Sequence, residues 1–182
     1  MSTLLTPTPG QTIGPFYGYA LPFHRGNELV PPGVPGSIRF HGIVTDGAGK
    51  PIPDAMLEIW QADATGQIPR TAGSLHRDGW TFTGWGRMAT DDEGRFSFST
   101  VEPGPTEPGK APFIAVTVFG RGLLNRLFTR AYLPDPGPDA LLDSLPDDRR
   151  DTLIAQRDEH GLRFDIRLQG EAETVFLRFP GQ

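Results

Sequence analysis

The imidazoles, which can ligate a metal or move a proton, are few and scattered. Four histidines, His24, His41, His76 and His160, fall in four separate segments with no H-x-H, H-x-x-x-H or H-E-x-x-H spacing among them. A local metal motif is therefore missing. The chain has no cysteine, which removes disulfides, thiolate nucleophiles and Cys-ligated zinc or iron–sulfur sites together. No serine stands in a G-x-S-x-G elbow, and no phosphate-cradling or dinucleotide glycine fingerprint joins a strand to a helix. His41, between Phe40 and Gly42, reads as a strand residue with a partner or in solvent rather than a base, and Asp54 and Asp63 read as strand-end and turn carboxylates. Trp60, Trp80 and Trp85 read as core or interface rings, since indole burial on a sheet needs no ligand to explain it.

The elements that would position these residues are strands. Ile38, Phe40, Ile43 and Val44 precede the turn-rich DGAGKPIPDA, and Met56 to Trp60 follow it, which predicts two strands joined by a turn. A second hairpin-like unit is predicted around Asp92-Glu93-Gly94, where Phe96 and Phe98 alternate with Arg95, Ser97 and Ser99 and so share one face. Two further β-rich runs flank Gly120-Arg121-Gly122, and two more flank Gly170-Glu171. In the last pair Phe164, Ile166 and Leu168 alternate with polar residues in a one-face-buried antiparallel signature. Only residues 138–160 read as helical, with Asp147 and Asp148 placed to favour the amino end of a short helix. The fold predicted is all-β, an antiparallel sandwich of about eight strands over 37–182, with one or two short helices near 138–158.

Residues 1–36 are a different material. Seven prolines and six glycines leave room for neither a helix nor a central strand, so an extended arm is expected. Its rings Phe16, Tyr17, Tyr19 and Phe23 would each forgo roughly 1.5–3 kcal/mol of burial if left in water, so the arm should lie against something, and packing on a partner is the expectation.

Size and composition bound the rest. A chain of 182 residues makes one compact domain, and 23 glycines with 19 prolines are too many for a helical bundle. A formal charge of −5 without runs of like charge disfavours nucleic acid and anionic membrane as partners. The amino terminus carries no basic, apolar secretory pattern and no stretch of about 18 apolar residues occurs, so a soluble chain in the cytoplasm is expected.

Several segments together resemble the intradiol ring-cleaving dioxygenases: QTIGPF, AMLEIWQADATGQ, GRMATDDEGRFSF, TVEPG, FGRG followed by TRAYL, and RFDIRLQGEAETVF. The resemblance runs from about Pro9 to the carboxyl terminus and is thinnest over 20–36 and 69–84. In catalytic members two tyrosines and two histidines hold a nonheme ferric ion. The positions that correspond to those ligands are Ile68, Thr106, Phe113 and Ala115. Isoleucine, phenylalanine and alanine offer no lone pair and threonine is a poor neutral donor, so no metal ligands are expected here. The carboxyl-terminal RFDIRLQG segment resembles the iron-free α type found in two-chain members of the family.

That resemblance implies a division of labour. Fe(3+) would be bound by a homologous β partner, in a higher αβ hetero-oligomer acting on 3,4-dihydroxybenzoate and O2. This chain would contribute no catalytic residue. It would line the substrate pocket with Thr12, Gly14 and Pro15 of the arm and with Arg121. The physical logic agrees: Pro15 fixes its φ, Gly14 lets backbone approach a flat ring, Thr12 offers a hydroxyl, and Arg121 can pair bidentately with a carboxylate. Arg126 and Arg130 would serve the subunit contact. Without the resemblance, an arginine on a turn is ordinarily solvated, and VTDGAGKPIPDAMLEIW suits equally a stand-alone transthyretin-like sandwich that binds a partner and does no chemistry.

Overall fold

A computed structural model describes residues 14, 16–70, 75 and 77–179. Nine strands form two sheets that face each other. The first sheet contains β1 (Ser37–Thr45), β4 (Arg95–Val101), β7 (Gln156–Asp158), β8 (Gly161–Arg163) and β9 (Ile166–Arg167), in the order β4-β1-β8-β7 with β9 also on β1. The second contains β2 (Met56–Trp60), β3 (Trp85–Ala89), β5 (Phe113–Phe119) and β6 (Leu127–Tyr132), in the order β3-β2-β5-β6 and antiparallel throughout.

Side-chain alternation builds the core between them. Every second residue of β4 and β5 is buried, which turns one apolar face of each sheet inward. Phe40, Phe96, Phe98 and Phe164 meet there, with ring centroids of Phe40 5.7 to 6.5 Å from the other three. Leu57, Ile59, Ile114, Val116 and Val118 close the opposite side. Each fully buried side chain of this kind stabilises by roughly 1.5–3 kcal/mol.

Expectations of strand pairing change. The strands β1 and β2 do not pair, nor do β3 and β4; each connection crosses from one sheet to the other. An alternating strand is satisfied by apolar partners facing it across the core as well as by those beside it, and the pattern does not distinguish the two. The run 161–167 pairs with β1 in parallel, not antiparallel, and the segment after Gly170 contributes one bridge, Phe128 to Leu177, in place of a strand. The short helices expected near 138–158 are present as α2 (Ala140–Asp143) and α3 (Asp147–Asp151), and β7 occupies the end of that stretch. The carboxylate of Asp139 caps α2 by accepting from the Leu141 and Leu142 amides, and Asp147 and Asp148 open α3 as expected.

The arm is also not wholly extended. It holds one helical turn, α1 (Tyr17–Ala20), short enough to fit before Pro22. Tyr17 and Leu29 are buried on the chain's own sandwich, and Phe23 stacks on Trp85 with ring centroids 5.8 Å apart. Phe16 and Tyr19 remain exposed, as do Trp60 and Trp80, so neither indole belongs to this chain's core. Among the described residues no helix is long and apolar enough to cross a membrane.

Candidate functional site

The four positions Ile68, Thr106, Phe113 and Ala115 converge on one cavity of about 180 Å3. Each reaches it for a local reason. Asp63 folds the 61–68 loop back on itself, its carboxylate accepting from the Thr65 and Gln67 amides at 2.8 and 2.9 Å. These contacts, led by the Thr65 hydroxyl, hold its pKa below the ordinary carboxylate value. Gly66, at φ +87°, lies so close to the Pro105 carbonyl that a Cβ would stand 2.1 Å from it, and the Gly104 amide donates to the Asp63 carbonyl at 2.8 Å. Ile68 and Thr106 are thereby brought to the same mouth. Pairing of Trp60 with Ala115 across β2 and β5 sets the opposite wall. Gln61, buried beneath, is satisfied by the Val101 carbonyl at 2.8 Å and the Thr100 hydroxyl at 2.8 Å.

The cavity walls do not fit a ferric ion. Ile68, Phe113 and Ala115 have no donor atom, and Thr106 has one neutral hydroxyl. A positive charge also stands nearby: Arg130, the register partner of Ala115, places its guanidinium carbon 4.2 Å from the Phe113 ring centroid. The same guanidinium donates to the Tyr132 hydroxyl at 3.1 Å, which donates in turn to Asp139 at 3.0 Å. Arg130 is thus committed within its own chain, and Arg126 lies over Phe128, 5.0 Å from the centroid.

Arg121 belongs to the other end of the sheet. Six residue steps separate it from Ala115, the first four along β5, a span of up to roughly 20 Å at strand rise. Arg121 is not among the residues that line the cavity. Arg121 instead pairs with Asp54 on the β1–β2 connection, which raises the guanidinium's already high pKa. Asp54 takes the left-handed conformation, φ +61°. Beneath them Tyr17 is buried, with its hydroxyl 3.4 Å from the Phe119 carbonyl. Burial pushes its phenol up to about 12, with Asp54 adding to the shift.

Of the arm residues expected to line a pocket, Gly14 is exposed, with no atom within 4 Å of where a Cβ would stand. Thr12 and Pro15 lie outside the described residues. Three residues of chain, at most about 11 Å, separate Gly14 from the anchored Tyr17. The arm's root and Arg121 therefore share one end of the molecule, while the four ligand-position residues share the other. Sequence reasoning missed Asp54 as the partner of Arg121, and the 67-residue separation carries no spacing signal that would reveal it.

Residues 14–170 match the dioxygenase family defined by the Dioxygenase_C domain. The chain belongs to that family, as an oxidoreductase subunit of the intradiol type. It is similar along almost its whole length to the protocatechuate 3,4-dioxygenase alpha chain of Burkholderia cepacia, at 39% identity over 196 residues, covering 96% of this chain and 98% of that one. The beta chain of the same organism's enzyme is 34% identical over 158 residues, covering 75% of this chain and 66% of the relative. Among solved structures, the dioxygenase domain of a carbohydrate-binding fusion from Streptomyces sp. SirexAA-E aligns at a TM-score of 0.58 with 29% identity, covering 91% of this chain and 99% of that one.

Proposed function

We propose that this chain is the iron-free, non-catalytic α-type subunit of a protocatechuate 3,4-dioxygenase, paired with a homologous β chain that holds the ferric ion. The complex converts 3,4-dihydroxybenzoate and O2 to 3-carboxy-cis,cis-muconate, both oxygen atoms entering the product, so no external reductant is needed. Arg121 takes the substrate carboxylate, and Thr12, Gly14 and Pro15 form one wall of the pocket. The isolated chain is inactive, and the complex works in the cytoplasm.

One observation carries this reading: the residues that would grip a carboxylate and the residues at the metal positions lie at opposite ends of β5. The donorless cavity and a remote Arg121 make sense together when Arg121 serves a site on another chain. The likeness to both alpha and beta chains supports the same pairing. A stand-alone binding sandwich does not account for an alpha-chain likeness that covers 96% of this chain.

The test is co-expression with the neighbouring homologous chain. This chain alone is colourless and iron-free, and the pair gains ferric–tyrosinate absorbance and activity. Stoichiometric iron in this chain alone refutes the proposal. In the pair, Arg121→Ala raises KM for 3,4-dihydroxybenzoate about tenfold or more, the worth of a charge-assisted hydrogen bond, while assembly is unchanged.

A further inference from the structure

The geometry points to Asp54 as a positioning residue that aims Arg121 at the substrate carboxylate. This rests on the reading of Arg121 given above and adds a second residue to that site.

The two partners are unequally held. The Arg121 side chain is 63% exposed on a turn between two glycines, whereas that of Asp54 is 27% exposed. Backbone fixes Asp54 from three directions. Pro53 precedes it, its own φ is +61°, and α1 packs over it so closely that a Cβ on Gly18 would stand 3.2 Å from its carbonyl oxygen. Asp54 is the anchor and Arg121 the mobile member. A single Nη2 contact with Asp54 fixes the direction of the planar guanidinium and leaves other N–H donors of the fork to meet a second carboxylate.

Competition is the opposite expectation, because Asp54 is itself a carboxylate beside the place where another must bind. The two effects predict opposite signs. Charge repulsion across a solvent-exposed guanidinium is screened, whereas an unrestrained arginine must be ordered at each binding event. Ordering is the larger effect. Through Gly18 and Tyr17 the same anchor ties the root of the arm to the arginine.

The experiment compares Asp54→Asn, Asp54→Gly, Arg121→Ala and the double variant D54N/R121A in the co-expressed complex. Asparagine and glycine both tolerate a left-handed backbone, so the fold is kept. The readouts are KM and kcat for 3,4-dihydroxybenzoate and the inhibition constant of catechol, which lacks the carboxylate. Each Asp54 variant is expected to raise KM roughly two- to tenfold, the cost of ordering one long side chain, with catechol inhibition and kcat unmoved. The double variant should match R121A. An unchanged or lowered KM in D54N and D54G, with R121A still raising it, overturns the positioning role and leaves the Arg121 reading standing. An unchanged KM in R121A overturns both.

Discussion

Burial is the largest influence on the acid–base behaviour of two phenols. Tyr17 and Tyr132 are both pushed up to about 12 by desolvation, against about 10 in an unfolded chain. A raised folded-state pKa means that the unfolded chain loses its protons first. The stability these groups contribute is therefore intact below about pH 10 and declines as pH rises toward 12. Ultraviolet titration at about pH 11 should show native phenolate absorbance well short of the denatured value, and Tyr132→Phe should close part of that gap. The mutation also breaks the Arg130–Tyr132–Asp139 relay and is expected to cost about 1–2 kcal/mol in a denaturant titration. At this scale the sequence is unevenly legible. Ile68, Thr106, Phe113 and Ala115 are found only through the family resemblance, each a few residues from a matching motif. Asp54 is invisible, because its role depends on a turn brought near from 67 residues on.

Among the elements, β1 is the one most tightly enclosed. It pairs with β4 along one edge and with β8 and β9 along the other. Gly42 marks the point of closest approach, where a Cβ would stand 2.0 Å from the Phe164 carbonyl oxygen and 3.0 Å from the Phe96 ring. Gly42→Ala should therefore destabilise by about 1–3 kcal/mol, lowering the thermal midpoint by several degrees. An unchanged midpoint would mean that the 164 backbone yields freely. Strand existence is legible here because Phe40, Phe96 and Phe98 obey a period of two. Sheet membership and direction are not, because alternation records only that a face is covered. The single turn of α1 is hidden by the prolines and glycines around it, which deny long elements but permit a short one.

At the scale of the whole molecule, the first fifteen residues have a separable role on the proposed reading. The arm from Tyr17 onward is anchored to its own sandwich, so removing residues 1–15 should leave the subunit folded and the complex assembled. It should lower kcat/KM for 3,4-dihydroxybenzoate about ten- to a hundredfold, the penalty for a misplaced substrate. Full turnover by the truncated complex would remove the arm from the pocket.

The parallel seam between β1 and residues 161–167 has a consequence for biosynthesis. One margin of β1 waits for partners that lie about 120 positions downstream, so the first sheet stays unfinished until residues 161–167 have left the ribosome. Such long-range closure slows folding and leaves hydrogen-bonding groups open to wrong neighbours meanwhile. A nascent chain of this design is vulnerable until that stretch emerges, and β8 and β9 act as the latch.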